Sequence, residues 1–343
     1  MITANLHTVT MRRLLDTRIG RALQRRGERI GGARRYHYEY ERVLGTSLEL
    51  QVVTASEAAA RRAEAAVLAE IDRLEPILSG WPPTSQLARW QDSYDVSVPV
   101  SAELADVLIA SDAWRERTAR AFDPAAQAIV ERLRESTAEA PAVLGPLLDE
   151  LRGPPWVVDR TGPTARRLSR HAISLDAIAK GYIVTRAAAR AREVDGVAEV
   201  LLNIGGDLQH FGTRPVGVGI ADPSAPAENA PPIAAVRVRD AALATSGGYR
   251  RGVIVNGRRV SHIVDPRTGR PAERIASASV IAPDCATADA LSTAFSVMDP
   301  QESIALADAH PGVGCLLVDR DGAMISNAAW NARAIRPRHE TTH

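Results

Sequence analysis

The chain has 343 residues, 45% of them hydrophobic and 24% charged, with a formal net charge of +1. That length and apolar content support a substantial core in one large or two medium domains, and the near-neutral balance excludes a global electrostatic drive toward nucleic acid. Two cysteines, Cys285 and Cys315, give neither a zinc motif nor a disulfide framework and are expected to be buried thiols.

Residues 11–35 carry nine arginines against Asp16 and Glu28. Met11, Leu14, Leu15, Ile19, Ala22 and Leu23 gather on one side of a helical projection, but Arg12, Arg18 and Arg26 intrude there, and Gly20 and Gly27 weaken a helix. The expectation is a basic N-terminal extension over residues 1–35, with contact to an anionic membrane surface as the alternative. No run approaches the ~20 apolar residues that span a bilayer. Arginines interrupt any secretory leader, so a cytoplasmic protein is expected.

From Tyr36, "YHYEYERVLGTSLELQVV" reads as a strand. A helix follows from about Ser56 and stops before Gly80 and the Pro82-Pro83 break, and a second helical stretch begins near Ser101. Residues 140–170, rich in Pro, Gly and Arg, read as loops around a short strand "WVVD". Beyond them "EVLLNIGGD", "VGVGIAD" and "AAVRVRD" are strands, and "GVIVNGRRVSHIVD" is a hairpin turning at Asn256-Gly257. "SASVIAP" adds a strand, a helix runs from about Thr287, and "CLLVDRDGAMIS" closes as a hairpin. Antiparallel hairpins interrupted by long helices predict an α+β fold with one domain over residues 36–335.

Four glycine-containing stretches read as loops following strands: "DAIAKG", "NIGGD", "ATSGGY" and "SHIVDPRTG". Backbone amides at such places can cradle phosphates, although each alone also reads as a turn. The first holds Lys180, a single lysine among 42 Lys and Arg residues. A compact ammonium fits a narrow site that an arginine fork does not, a desolvated amine can act as a base, and chance survival is the bland alternative. If Thr287 caps the following helix, Asp289 and Thr293 project from one face, a modest oxygen set for a hard cation. Asp289 complementing the helix dipole accounts for it equally simply. His262 and Asp265 could each serve as a general base, or be a satisfied strand residue and a turn cap.

Taken in order, "SLDAIAKG", "NIGGD", "ATSG", "SHIVDPRTG" and "TADALST" resemble the motifs of the ApbE family, the FAD:protein FMN transferases. "VLGTSLEL", "LSGWPPTSQLARWQ" and "AFDPA" are similar to family segments in the first half, so the resemblance covers about residues 36–330. It implies an ApbE/T-fold-like architecture and transfer of FMN from FAD to a threonine or serine hydroxyl of a target flavoprotein, with Mg²⁺ and release of AMP. It also implies that Leu44, Trp81, Ala121, Phe122, Asp123, Ser174, Lys180, His262 and Ile263 hold FAD, with Trp81 stacked on the isoalloxazine. Asp289, Thr293 and the Ala177 carbonyl are the implied metal ligands, with His262, then Asp265, as base. Ser174, Asp176, Gln86, Gln91 and Ala125 depart from the family pattern. A Mg²⁺-dependent FAD pyrophosphatase and a non-catalytic FAD-binding protein are the competing functions.

Overall fold

The computed structural model describes residues 25–30, 32–135, 140–225, 230–248, 252–255, 258–261 and 263–335. Strands β1 (Arg25–Ile30), β2 (Ala33–Val43) and β3 (Thr46–Thr54) form an antiparallel meander. The single strand expected from Tyr36 therefore folds back on itself. Leu44 and Gly45 take φ of 49° and 77° at the reversal, a left-handed geometry that glycine adopts without steric cost. The sheet begins at Arg25, inside the segment expected as an extension, and residues 1–24 lie outside the described residues.

Helix α1 (Glu57–Leu78) is capped by Ser56, whose side chain accepts from Ala59 N. Its Ala60, Ala63, Val67, Ile71 and Leu74 recur at three- and four-residue spacing and are buried. After α2 (Gln86–Gln91) and β4 (Ser97–Pro99) come α3 (Ala102–Arg117), α4 (Ala126–Glu135) and α5 (Ala140–Glu150), then β5 (Trp156–Asp159) and β6 (Thr164–Arg167). The 140–170 interval thus holds a helix and two strands rather than loops around one. Leu144 and Leu147 of α5 bury themselves against Ile129 and Leu133 of α4, and that apolar spacing outweighs the helix cost of Gly145 and Pro146. Strands β4, β6 and β5 form a small antiparallel sheet, closed by the edge-to-face pair Trp90 and Trp156 at 6.1 Å.

The second half adds α6 (Asp176–Arg192), β7 (Val197–Ile204), β8 (Asp207–Phe211), β9 (Val216–Ile220), β10 (Ala234–Val238), β11 (Ala241–Ser246), β12 (Gly252–Val255) and β13 (Arg258–Ser261). It ends with β14 (Ile275–Ala282), α7 (Cys285–Phe295), α8 (Pro300–Asp308), β15 (Gly314–Asp319), β16 (Met324–Ser326) and α9 (Ala328–Asn331). Nine strands pair antiparallel in the order β1-β2-β3-β7-β8-β11-β14-β15-β16. Along β14, Ala278, Val280 and Ala282 join the main core with α1, α6 and α7, whereas Ile281 points to the other face, where the β9-β10 hairpin packs. Both faces of the central strands are covered, so their sequences run almost continuously apolar. Both cysteines are buried free thiols, as expected. No helix among the described residues is long and apolar enough to cross a membrane.

One carboxylate in this scaffold carries a pH signature. Asp112 on α3 is pushed up to about 6 by burial, with the Trp156 indole N–H and Arg115 pulling partly back. A carboxyl raised in the folded state favours folding while protonated, so its contribution is lost as pH rises through about 6. Asp112→Asn is expected to stabilise the protein by about 1 kcal/mol more at pH 8 than at pH 5, allowing for partial exposure. Urea unfolding at the two pH values reads the difference.

Candidate functional site

The floor of the site is set by one glycine. A Cβ on Gly181 of α6 would lie 2.3 Å from the Cys285 carbonyl oxygen and 2.8 Å from Ala286 Cα. The N-terminal turns of α6 and α7 therefore meet through bare backbone. Lys180, expected in a loop, sits in the second turn of α6 and is carried to the start of α7 by this contact.

Helix α7 begins at Cys285, not near Thr287, because Asp284 supplies both acceptors of the cap: its Oδ1 takes Thr287 N–H and its Oδ2 takes the Thr287 hydroxyl, each at 2.8 Å. Asp289 thus falls in the second turn, beyond the reach of the terminal dipole, and a dipole-only role loses its ground. Asp289 and Thr293 stay one turn apart, and both line a cavity of about 810 Å³.

The third element to bring a charged group is the β7-β8 turn. Gly205 and Gly206 have φ of 62° and 99°, and a side chain on Gly205 would collide with Thr46 at 2.6 Å. The turn therefore lies flat against the start of β3 and delivers Asp207 into the cavity. Lys180 Nζ is 2.9 Å from Asp207 Oδ2. Asp207 and Asp289 are 3% and 5% exposed, so little water screens them. Burial and then the neighbouring Asp207 hold the Asp289 carboxyl well above the usual carboxylate range. Burial also raises Asp207, with Lys180 opposing. Burial alone would lower the Lys180 ammonium, but the two carboxylates lift it above the ordinary lysine range. That direction favours the ammonium over the alternative of a deprotonated amine.

Beside this group, Ser246 Oγ at the end of β11 lies 2.8 Å from Ser292 Oγ and 3.2 Å from Thr293 Oγ1. Asp289 Oδ2 is buried and has no hydrogen-bond partner among the described residues.

The facing wall comes from residues 119–124. Ala119 and Arg120 adopt φ of 47° and 68°, conformations costly for residues with a Cβ. Ion pairs hold them in place: Arg115 Nε lies 2.8 Å from Asp123 Oδ2 and Arg120 Nε 3.3 Å from the same oxygen. Asp123 spends its carboxylate on this brace and on Ala125 N–H, so Ala121, Phe122 and Asp123 shape the wall rather than present a free charge. Ser174 N–H donates to the Pro124 carbonyl, and its hydroxyl accepts from Asp176 N–H at 3.2 Å.

Leu44 and Ile263 line the rim, with Trp81 87% exposed beside them. Ala177, in the first turn of α6, lines the cavity as well. His262 lies outside the described residues. Asp265 stands off the cavity wall: its oxygens take Arg267 at 2.9 and 3.0 Å, and its carbonyl accepts from Gly269 N–H. That geometry matches the turn-cap alternative. Gln86 accepts from Ser101 and Gln91 from Ile173 N–H, so these two departures are scaffold cross-links.

The ApbE family model matches residues 44–317. This chain belongs to the ApbE family. It is 28% identical over 283 residues to the FAD:protein FMN transferase of Klebsiella pneumoniae (strain 342), covering 76% of this chain and 78% of that protein. It is 32% identical over 309 residues to the one from Rhodobacter capsulatus, covering 85% of this chain and 57% of that relative's length. Among solved structures, the ApbE protein of Thermotoga maritima superposes with a TM-score of 0.75 at 28% identity, over 88% of this chain and all of that one. Its mixed α and antiparallel β architecture is the class expected from the sequence.

The donor chemistry fits a hard divalent cation. Asp289, with one buried oxygen left without a hydrogen-bond partner among the described residues, Thr293 one turn away and Ala177 all line the same cavity. Among the described residues no group of three His, Cys, Asp or Glu side chains gathers as a metal site, so substrate oxygens and water would complete the coordination, as is common for Mg²⁺. Sequence reasoning quoted "NIGGD" but passed over Asp207. A usable signal was present: the lone lysine follows Ile178 and Ala179 on the helix, and a lysine drawn partly inside calls for a carboxylate partner.

Proposed function

We propose that the chain is an FAD:protein FMN transferase whose substrates are FAD and a target flavoprotein bearing an acceptor threonine or serine. The observation that carries this reading is the partnerless, buried Asp289 oxygen beside Lys180 and Asp207, in a cavity with an exposed tryptophan at its rim. The acceptor hydroxyl oxygen forms a bond to the FMN-side phosphorus, the bond from that phosphorus to the bridging oxygen breaks, and AMP leaves with the bridging oxygen. The hydroxyl proton passes to a base, for which His262 is the first choice and Asp265 the second. The engagement of Asp265 with Arg267 supports that order.

Such a substitution is accelerated by positioning and by charge stabilisation. The Lys180 ammonium, lifted above the ordinary lysine range, would meet the diphosphate with the donors that Asp207 leaves free. The braced 119–124 wall excludes water from one side, and Trp81 offers its ring to the isoalloxazine. Mg²⁺, held by Asp289, Thr293 and the Ala177 carbonyl, would supply several kcal/mol of charge stabilisation on the diphosphate.

The test mixes protein, FAD, Mg²⁺ and a threonine-bearing flavoprotein, then follows AMP by chromatography and the acceptor by mass spectrometry. The expected result is a covalent flavin phosphate on the acceptor with one AMP per transfer, abolished by a chelator. Free FMN without acceptor would identify a pyrophosphatase instead, and stable FAD without AMP a binding protein.

A further inference from the structure

Asp207 has no task in the reaction as written above, yet it is among the most buried charges in the molecule. It is 3% exposed at the tip of a turn whose two glycines hold left-handed φ. A carboxylate in that position costs several kcal/mol unless its charge is used. Lys180 is one cation against two carboxyl groups, so one carboxyl group of the cluster has no cation of its own. The lysine is ion-paired to Asp207 at 2.9 Å, and Asp207 and Asp289 both line the cavity, each with a buried oxygen that takes no hydrogen bond among the described residues. Were the cluster only a structural ion pair, one carboxylate would balance one lysine, and the second would be a liability at the heart of the α6-α7 contact. A divalent cation entering beside Asp289 would supply the balance that Lys180 gives Asp207.

We propose that Asp207 is a positioning residue of the cation site: ion-paired to Lys180, it places a second negative charge behind Asp289 and so strengthens the hold of Asp289 on a divalent cation. This rests on the metal-dependent reading above and deepens it. It also accounts for the retained lysine. Lys180 must fit a point charge between α6 and the β7-β8 turn, next to a helix contact with no room for one added methyl group, and an arginine fork is too broad for that gap.

The experiment titrates Mn²⁺ into the full chain without nucleotide and measures free Mn²⁺ by electron paramagnetic resonance. Asp207→Asn keeps the shape and an acceptor for Lys180 but removes the charge. It is expected to weaken Mn²⁺ binding about 10- to 100-fold, the usual effect of losing a group that supports a metal ligand, while Asp289→Asn loses binding altogether. The double variant K180M/D207N restores the original net charge and is expected to recover affinity to within about threefold of the parent, which a merely structural ion pair would not do. An Asp207→Asn affinity within about threefold of the parent, alongside loss in Asp289→Asn, overturns the role of Asp207 and leaves the metal reading intact. A double variant as weak as Asp207→Asn, or weaker, likewise overturns it. A parent chain that binds no Mn²⁺ removes both.

Discussion

Asp289→Asn is expected to lower the rate of AMP release from FAD by at least about a thousandfold while making the fold no less stable. The first half follows from the donor set: Asp289 is the carboxylate of α7, it lines the cavity, and its Oδ2 has no hydrogen-bond partner among the described residues. An amide binds a hard cation far more weakly, and losing about 4 kcal/mol of transition-state charge stabilisation is a factor of about a thousand. The second half follows from the neighbours. Asp289 is stripped of water and repelled by Asp207, so a neutral isostere removes that cost while keeping an oxygen to accept from Gly181 N–H. A thermal melt at neutral pH without metal should show a midpoint equal to or above that of the parent. Opposite signs for stability and activity mark a residue kept for chemistry. A variant that melts well below the parent, or that keeps parent-like release, would place Asp289 in the scaffold and remove the basis of the site.

Patterns confined to one element were legible without the structure. Ser56 and Ser101 signal helix starts because a cap is read by its own next three residues. The short apolar runs in "SASVIAP" and "CLLVDRDGAMIS" give strands because both sheet faces are covered there. The reversal at Leu44-Gly45 was hidden by β-forming residues on either side, whose propensity is indifferent to where the chain turns. The helix over 140–150 was masked by Gly145 and Pro146, since local propensity does not count Leu144 and Leu147 finding Ile129 and Leu133. Lys180 looked like a loop residue because of Gly181, and what that glycine serves is contact with Cys285, more than a hundred positions away. Asp207 escaped for the same reason: its meaning lies in Lys180 and Asp289, and no local window holds all three. The cavity wall was read in part. The ordered motifs led to Ala121, Phe122 and Asp123, but not to Arg115 and Arg120, whose guanidinium groups hold that wall in shape.

Gly181→Ala is the sharpest structural test of this arrangement, because two effects of known sign compete there. In an exposed helix the change should stabilise by about 0.8–1 kcal/mol through backbone entropy. At Gly181 the added carbon would fall 2.3 Å from a carbonyl oxygen and 2.6 Å from its carbon, both backbone atoms that cannot rotate aside. Helix α6 must then lift from α7, and overpacking of this kind costs about 1–3 kcal/mol, more where both partners are rigid. The net expectation is a loss of about 2 kcal/mol or more in urea unfolding, once the helix gain is subtracted. Transfer should fall further than stability alone predicts, since the same displacement draws Lys180 away from Asp289. Gly145→Ala supplies the contrast: on α5, with nothing but its chain neighbours within 4 Å of the added carbon, the helix gain is offset by the following Pro146, so stability should move by less than about 1 kcal/mol and transfer stay unchanged. If both alanines shift stability alike, α6 and α7 do not meet backbone to backbone, and the alignment of Lys180, Asp207 and Asp289 that depends on that contact fails with it.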